Sequence, residues 1–384
     1  MEQSRVDFKK IRRVVVKIGS HTICNDQGLA NDRLRALAGQ VDLLRRRGME
    51  VVLVSSGAVA AGKKKMKSFA MEPITLKKKQ ALAAIGQVSL MSAWSKALAA
   101  HDLKVAQILL TADDLADRHR FIHAKNTLFT LLEMNDVIPI INENDTVALE
   151  ELKFGDNDTL ASLVASLAEA DIFVNLTDLD GLYETDPRKD ANAVLIKYVE
   201  KVSQTVISKA GNVGGSTMGT GGMRTKVRAA GRLAERGMPS IIANGLTRDI
   251  LPRLMEGEEL GTFFKPSAKP RGARKHWLAF AARPKGKLLV DQGAAKALQE
   301  QGKSLLPKGI KDLEGDFVAG DAVTIVESSS GGALGVGLVN YPSVEVRHIM
   351  GRGSKEIQDI LGFCHSEEVI HRDNLVIFDK VAEV

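Results

Sequence analysis

Short apolar runs alternate with helical patterns through the first two-thirds of the chain. Six runs rich in Val and Ile are apolar on both faces, which predicts strands buried on both sides of a parallel sheet. They are Arg13–Ile18, Val51–Val54, Val105–Leu110, Val137–Ile141, Asp171–Leu176 and Ser240–Ala243. Helical periodicity covers the segments Asn31–Arg47, Leu76–His101, Ala124–Glu133, Asp158–Glu169 and Met223–Arg236. The alternation predicts a three-layer α/β/α sandwich with a mainly parallel sheet, and ligands beyond the carboxyl ends of its strands.

The pattern changes near residue 265. Residues 266–276 contain two prolines and a glycine without an apolar period, which indicates a linker between a domain at 1–265 and a second domain at 277–384. The second domain is predicted to be small and β-rich, resembling a barrel, with one short helix at Gly293–Gln301. Its expected strands are Gly286–Asp291, Asp321–Glu327, Gly335–Val339 and Leu375–Phe378.

Composition narrows the class of protein. A hydrophobic fraction of 44% in 384 residues excludes general disorder, and 4% aromatics disfavour a base-stacking surface. The net charge of +6 suits an anionic substrate only weakly. The sequence has only two cysteines, Cys24 and Cys364, which are far apart, and this argues against a disulfide scaffold and against a zinc site with cysteine ligands. With no apolar stretch of membrane-spanning length, we expect a cytoplasmic protein without membrane contact.

Small and basic residues stand at the ends of the first two predicted strands. Lys17 and Gly19 close the first strand, and Ser56 and Gly57 follow the second, where a helix begins. Free backbone N–H groups at a helix start, together with a lysine, form an anion-binding arrangement. Each motif alone is also explained by a tight turn, so the prediction depends on their combination.

Polar and glycine-rich segments follow the later strands. Asn142–Asp145 and Gly155–Thr159 place more acids and amides at a strand end and a helix start than capping needs. Thr177 and Asp178 end another strand. The segment Gly214–Lys226 is rich in glycine and runs into a helix whose first turn carries Lys226, against the helix dipole. A lysine at this position is unfavourable for the helix and has no evident structural benefit, which indicates a functional role for Lys226.

Two lysines, several anion-binding turns and a set of carboxylates suit phosphoryl transfer, in which catalysis is mostly positioning and electrostatics. A carboxylate acceptor would need no general base, since it is ionised at pH 7, whereas a hydroxyl acceptor would need one; both stay open on this argument. The sequence lacks a GxxxxGK[ST] loop, and the His371–Asp373 triplet lacks the other protein-kinase motifs. The histidines show no metal-ligand spacing.

Six motifs in this order resemble the amino acid kinase family: VVVKIGS, VSSGAVAAG, INENDTVA, FGDNDTLAS, LTDLDGLYETDPR and GTGGMRTK. The segment from Lys287 to Ile325 is similar to a PUA domain. The resemblance covers nearly the whole chain. It implies the amino acid kinase fold and the ATP- and Mg²⁺-dependent phosphorylation of the side-chain carboxylate of L-glutamate, the first step of proline biosynthesis.

The same resemblance implies roles for single residues. Lys17 and Lys226 would be catalytic, with Asp158 orienting both lysines. Glutamate would be bound by four residues, Ser56, Gly57, Asp145 and Asn157. ATP would be bound by Lys17, Gly19, Thr177, Asp178, Thr220, Gly221, Gly222, Met223, Arg224, Thr225 and Lys226. The resemblance assigns no metal ligand.

The resemblance also implies proline as a feedback inhibitor, a dimer or tetramer, and hand-over of the acyl phosphate to glutamyl phosphate reductase. Two alternatives stay open. One is another kinase of the family, acting on aspartate, acetylglutamate or a nucleoside monophosphate. The other is an RNA-binding regulatory protein that uses its PUA domain, although the nearly neutral tail is a poor footprint for RNA. The lysine runs at 63–65 and 77–79 are interpreted as solvated faces.

Overall fold

A computed structural model describes residues 6–66, 75–148, 157–212, 222–268, 270 and 272–378. The chain forms two compact units. The first comprises Met1–Leu115 with Arg120–Pro270, and the second comprises Ala116–His119 with Arg271–Val384.

The described residues of the first unit contain ten strands, of which eight form one sheet and two form a short hairpin. In chain order they are β1 Arg13–Ile18, β2 Cys24–Asn25, β3 Gly28–Leu29, β4 Glu50–Ser55, β5 Lys104–Leu110, β6 Val137–Glu143, β7 Ile172–Thr177, β8 Tyr198–Val199, β9 Ser240–Asn244 and β10 Thr262–Phe264. All six predicted strands are present, and five of the apolar runs are buried on both faces of the sheet. The expectation of burial on both faces is wrong for β5, because this strand lies at the edge of the sheet and only Leu110 is buried in it.

The large sheet has the strand order β5-β6-β4-β1-β7-β9-β10-β8. The six predicted strands pair in parallel, while β10 runs antiparallel to β9. Lys17 of β1 lies opposite Val54 of β4 on one side and Asn175 of β7 on the other. The carboxyl ends of β1, β4, β6 and β7 therefore meet at the same edge, where the sequence predicts the ligand.

Ten helices accompany the first ten strands within the described residues. They are α1 Ser20–Ile23, α2 Asn31–Arg46, α3 Ala58–Lys65, α4 Leu76–Ala99, α5 Ala112–Ala116, α6 Arg118–Glu133, α7 Asn157–Leu167, α8 Gln204–Asn212, α9 Met223–Glu235 and α10 Ile250–Met255. The five helices expected from the apolar period are all present. Helices α2, α4 and α10 share a core with one face of the sheet, and α7 and α9 carry the site on the other face. The predicted sandwich is confirmed.

A packed core of aliphatic side chains holds the first face together. Val14 and Val16 of β1 contact the same cluster as Leu34 of α2 and Trp94 of α4, and all of them are buried. Full burial of an aliphatic side chain contributes about 1.5–3 kcal/mol, so this layer fixes the strand ends on which the site is built.

The second unit is built on a five-stranded mixed sheet with the order β12-β11-β13-β14-β15. Its strands are β11 Gly286–Val290, β12 Ile310–Gly315, β13 Ala322–Glu327, β14 Ala333–Leu338 and β15 Leu375–Ile377. Its helices are α11 Ala273–Phe280, α12 Gln292–Gln301, α13 Ser343–Ile349 and α14 Ile357–Leu361, and there are 3-10 turns at Pro307–Gly309, Ser354–Glu356 and Arg372–Asn374.

Two expectations for the C-terminal part are wrong in detail. The prediction of a single short helix is corrected, since α11, α13 and α14 accompany α12. Helix α11 also begins at Ala273, inside the segment predicted as linker. It forms because Leu278 packs into a buried cluster with Val336 and Leu338 of β14, a tertiary contact that the local composition does not reveal. None of the described helices is both long and apolar enough to cross a membrane.

Candidate active site

Two lysines from different elements of the first unit converge on one carboxylate. Lys17 is the penultimate residue of β1 and Lys226 lies in the first turn of α9, and they are only 3% and 6% exposed. The Nζ of Lys17 lies 2.6 Å from Oδ1 of Asp158, and the Nζ of Lys226 lies 2.9 Å from Oδ2. Both ammonium groups are therefore held at one point beyond the strand ends.

Asp158 occupies the second position of α7 and is fully buried. A negative charge is favoured in the first turn of a helix by the helix dipole. Burying an isolated charge is very costly, and the cost is offset only where the charge is paired and hydrogen-bonded. Two lysine partners meet that condition for Asp158, and Asp158 in turn compensates the unfavourable position of Lys226 at a helix start.

Two neutral donors also contact this carboxylate. Asn175 Nδ2 donates to Asp158 Oδ1 at 2.9 Å, and Thr225 Oγ1 donates to Oδ2 at 2.9 Å. Thr225 also contacts the backbone oxygen of Gly222, the residue that precedes α9. Each oxygen of Asp158 thus accepts one ammonium and one neutral donor. Sequence reasoning placed Thr225 in the site but missed Asn175.

The turn between β4 and α3 lies next to this centre. Ser56 N donates to the backbone oxygen of Ile18 at the end of β1. Gly57 has φ of +109°, a conformation that favours glycine, and it precedes α3 without a side-chain cap. Because Gly57 has no side chain that could cap α3, the start of this helix fits the anion-binding arrangement that the sequence predicts.

A chain of side-chain amides extends from that turn along the edge of the sheet. Asn157 Nδ2 donates to Ser56 Oγ at 2.8 Å and to Asn142 Oδ1 at 3.2 Å, and Asn142 Nδ2 donates to Gln87 Oε1 at 2.8 Å. Two buried atoms of the chain, Asn157 Oδ1 and Gln87 Nε2, have no hydrogen-bond partner among the described residues. A buried unpaired donor and acceptor fit a ligand that carries both kinds of group.

Trp94 supports the same turn from behind. Its indole Nε1 donates to Ser55 Oγ at 2.9 Å, and its side chain is fully buried in the core of α4. The contact fixes the residue adjacent to Ser56, so that the core positions the site.

Asp145 follows β6 and is half-buried. Burial raises the pKa of its carboxyl above the ordinary value, and the neighbouring Lys79 lowers the pKa in part. A partly desolvated carboxylate suits the binding of an ammonium group. Lys79, in the second lysine run, is the residue whose positive charge acts on Asp145.

The remaining nucleotide candidates lie at the ends of β1, β7 and α9. At Gly19 an added Cβ would lie 3.2 Å from the backbone oxygen of Leu176 and 4.0 Å from Lys17 Nζ, so glycine keeps the approach to the lysine open. Thr177 Oγ1 donates to Asp178 Oδ1, and Arg188 holds Asp178 Oδ2 at 3.1 Å.

At the start of α9, Gly222 precedes the helix, Met223 is buried and Arg224 is exposed. Thr220 and Gly221, with most of the glycine-rich segment, lie outside the described residues.

The described residues contain no group of three or more His, Cys, Asp or Glu side chains that could hold a metal ion. Asp158 is engaged by two lysines and Asp178 by Arg188. This donor set fits a Mg²⁺ ion that arrives on the phosphates of a nucleotide, because Mg²⁺ is commonly bound through substrate phosphates rather than in an all-protein cage.

The profile of the amino acid kinase family matches residues 12–244, which include every candidate residue of the site. The chain belongs to the amino acid kinase family. The profile of the PUA domain matches residues 286–361, inside the second unit.

Several curated proteins are similar to this amino acid kinase along nearly its whole length. The glutamate 5-kinase of Syntrophotalea carbinolica is 48% identical over 370 residues, covering 96% of this chain and 98% of its own. The glutamate 5-kinase of Desulfotalea psychrophila is 49% identical over 377 residues, covering 98% and 100%. That of Citrifermentans bemidjiense is 49% identical over 371 residues, covering 96% and 98%.

Proposed function

We propose that this chain transfers the γ-phosphoryl group of ATP to the side-chain carboxylate of L-glutamate, giving ADP and L-glutamyl 5-phosphate, the first step of proline biosynthesis. The observation that carries the proposal is the pair of buried lysines on the two oxygens of Asp158. Full-length similarity to glutamate 5-kinases supports the choice of acceptor.

The chemical difficulty of this reaction is charge rather than proton transfer. The acceptor carboxylate is ionised at pH 7, so it needs no general base. It must approach a triphosphate of the same sign. Lys17 and Lys226 place two positive charges where the transferred phosphoryl group gains negative charge, and fixed charges in a buried site cost no reorganisation during the reaction.

Asp158 prevents the two lysines from repelling each other out of position. Its two oxygens accept from both ammonium groups and from Asn175 and Thr225, so the ammonium groups are oriented before substrate binds. Asp158 therefore acts through the lysines and does not itself contact the phosphoryl group.

The glutamate pocket is assigned to Ser56, Gly57, Asp145 and Asn157. The uncapped start of α3 suits a carboxylate, and half-buried Asp145 suits the α-ammonium group. The unpaired Asn157 Oδ1 adds a further acceptor. An α-amino acid carries both charges, as this set requires.

The nucleotide is assigned to Lys17, Gly19, Thr177, Asp178 and the stretch from Thr220 to Lys226. Mg²⁺ would be bound mainly by the phosphates and would neutralise charge on them. The uncapped start of α9 after Gly222 suits a phosphate.

The decisive experiment compares Lys226→Ala with Lys209→Ala, scored as hydroxamate formed from glutamate, ATP and hydroxylamine. Lys209 is a surface lysine of α8 that pairs with Glu184 and is the matched control. Loss of one positioned charge is expected to lower kcat about 10²–10³-fold in Lys226→Ala only. A kcat within a few-fold of wild type would remove Lys226 from its role. A wild type that phosphorylates aspartate or acetylglutamate instead would overturn the substrate assignment.

Other assignments extend the proposal. Proline is proposed as a feedback inhibitor, the chain as a dimer or tetramer in the cytoplasm, and glutamyl phosphate reductase as the enzyme that receives the labile product. RNA binding by the PUA domain stays a prediction. A groove of about 520 Å³ in the second unit carries Lys275, Lys303 and Arg372, so a filter-binding titration at two salt concentrations is the measurement that tests it.

A further inference from the structure

A polar side chain interrupts the most deeply buried strand of the sheet. All six residues of β7 are buried, and Asn175 is fully buried between Val174 and Leu176. A central strand of this kind is ordinarily apolar, because a buried amide must find partners for both its donor and its acceptor. The exception at Asn175 therefore calls for a reason in the site.

The amide group is oriented by Asp158. A carboxylate oxygen only accepts hydrogen bonds, so Asn175 must present its Nδ2, which lies 2.9 Å from Asp158 Oδ1. Its Oδ1 is buried and has no hydrogen-bond partner within the described part of the chain. The site retains an unsatisfied acceptor in order to keep the donor on Asp158.

The backbone holds this donor rigidly in relation to Lys17. Asn175 pairs with Lys17 of β1 on one side and with Ile242 of β9 on the other, so its Cα position is fixed by the middle of the sheet. The two side chains reach the same oxygen, Asp158 Oδ1, from neighbouring strands. Thr225 provides the corresponding neutral donor on Oδ2, beside Lys226.

We propose that Asn175 is a positioning residue for phosphoryl transfer: it fixes the rotation of the Asp158 carboxylate, so that Oδ1 faces Lys17 while Oδ2 faces Lys226. The inference rests on the proposed function. Without the amide, the carboxylate keeps its charge but can turn between the lysines, and the ammonium groups lose their fixed geometry. Asn175 acts through Asp158 and not directly on a substrate, so we expect the larger effect on kcat and a smaller effect on substrate binding.

The test uses Asn175→Leu, which keeps the approximate size and removes both polar atoms, and Asn175→Asp, which keeps the shape and replaces the donor by an acceptor. We expect kcat to fall about 10-fold in Asn175→Leu, a barrier increase of about 1.4 kcal/mol, and further in Asn175→Asp. The KM values for glutamate and ATP should stay within about threefold, as for an interaction realised only in the transition state.

The melting temperature of Asn175→Leu should stay within a few degrees of wild type, because the lost hydrogen bond to the buried Asp158 carboxylate is offset by the removal of an unsatisfied buried acceptor. Ser240→Ala is the matched control. Ser240 of β9 lies on the same face of the sheet as Asn175, and its buried Oγ also has no partner among the described residues. Its kinetics should not change.

A kcat within twofold of wild type in Asn175→Leu overturns the proposal, and so does a loss that appears mainly in the KM of either substrate. Should Asn175→Leu fail to fold, the double-mutant cycle of Asn175→Asp with Thr225→Val decides: non-multiplicative losses in kcat support a shared action through Asp158, and multiplicative losses overturn it. Failure of the proposed function itself would appear differently, as a wild type that forms no glutamyl phosphate.

Discussion

Lys17 and Lys226 are brought within hydrogen-bonding distance of the two oxygens of a single buried carboxylate, although one ends a strand and the other begins a helix much later in the chain. Phosphoryl transfer between two anions needs positive charge on the group that moves, and a shared counter-ion keeps two such charges close together in a desolvated site. In the proposed mechanism, Asp158 is therefore needed both for folding and for catalysis.

Replacing Asp158 by Asn should show both effects. Two buried ammonium groups would lose their counter-charge, so the free energy of unfolding should fall by about 3–5 kcal/mol and kcat by roughly 10²-fold. Urea unfolding at pH 7 and steady-state kinetics measure the two. The matched control is Asp136→Asn, which breaks an exposed pair with Lys104 and should lower stability far less, because surface ion pairs contribute little. Equal stability losses in the two variants would contradict the role of burial.

Asp145→Asn should stabilise the free protein while weakening glutamate binding. Burial raises the pKa of this carboxyl, so the folded state binds the proton more tightly than the unfolded state, and wild-type stability falls as pH rises through that window. The variant is neutral at every pH. It should therefore melt higher than wild type at pH 7, and the gap should close as the pH falls to about 4, where unfolded aspartate is also protonated.

The glutamate KM of Asp145→Asn should rise about 10- to 100-fold, the effect of losing a charged hydrogen bond. For Asp136→Asn we expect the opposite sign in stability, because Lys104 holds the pKa of Asp136 below its ordinary value. A variant of Asp145 that melts below wild type at pH 7 would contradict the assignment of an uncompensated, desolvated charge.

The strands of the site were predictable because their chemistry is local. Val14, Val15 and Val16 indicate a doubly buried strand, and Lys17 after them can only lie at its carboxyl end. Such runs carry their own structural signal, so the parallel sheet and the edge that bears the site follow from the residues themselves.

Other features of the site depend on contacts that the sequence does not display. Asn175 stands inside an apolar run and becomes meaningful only when α7 brings Asp158 over it. Gln87 lies among ordinary helical residues of α4, and its role appears only through Asn142. In the second unit, the sequence does not predict β12 as a strand. Its two buried residues, Ile310 and Leu313, are separated by a pair of exposed residues, so β12 lacks the period of two that indicates a strand.

Helices α3 and α4 pack backbone to backbone, which makes Gly86 a sensitive position. A Cβ at Gly86 would lie 1.7 Å from the backbone oxygen of Ala58, the first residue of α3. Gly86→Ala should therefore push α3 away from its position beside the turn between β4 and α3, which is assigned to glutamate. The free energy of unfolding should fall by about 1–3 kcal/mol, and the glutamate KM should rise. Thermal unfolding and steady-state kinetics measure the change.

The control for this helix substitution is Gly39→Ala in α2, where a Cβ would meet only His101 at an ordinary 3.7 Å. Alanine is the better helix former, so Gly39→Ala should gain about 0.5–1 kcal/mol with unchanged kinetics. If Gly86→Ala were stabilising as well, the close approach of α3 and α4 would be refuted.

Gly57 lies in the turn between β4 and α3 that is assigned to glutamate. Replacing it separates the effect of backbone strain on stability from an effect on substrate binding. Its φ of +109° disfavours any side chain, and a Cβ there would touch Cys24 Sγ and Ile23 at 3.4 Å. Gly48 also has a positive φ, of +79°, but nothing lies near its Cβ position. Alanine at either position should cost roughly 1–2 kcal/mol of stability, because both must adopt a left-handed conformation.

Only Gly57→Ala should raise the glutamate KM, by about fivefold or more, which corresponds to a loss of about 1 kcal/mol in binding. The two variants would be compared by urea unfolding and by kinetics at saturating ATP, and an unchanged glutamate KM in Gly57→Ala would show that the turn between β4 and α3 does not contact the substrate.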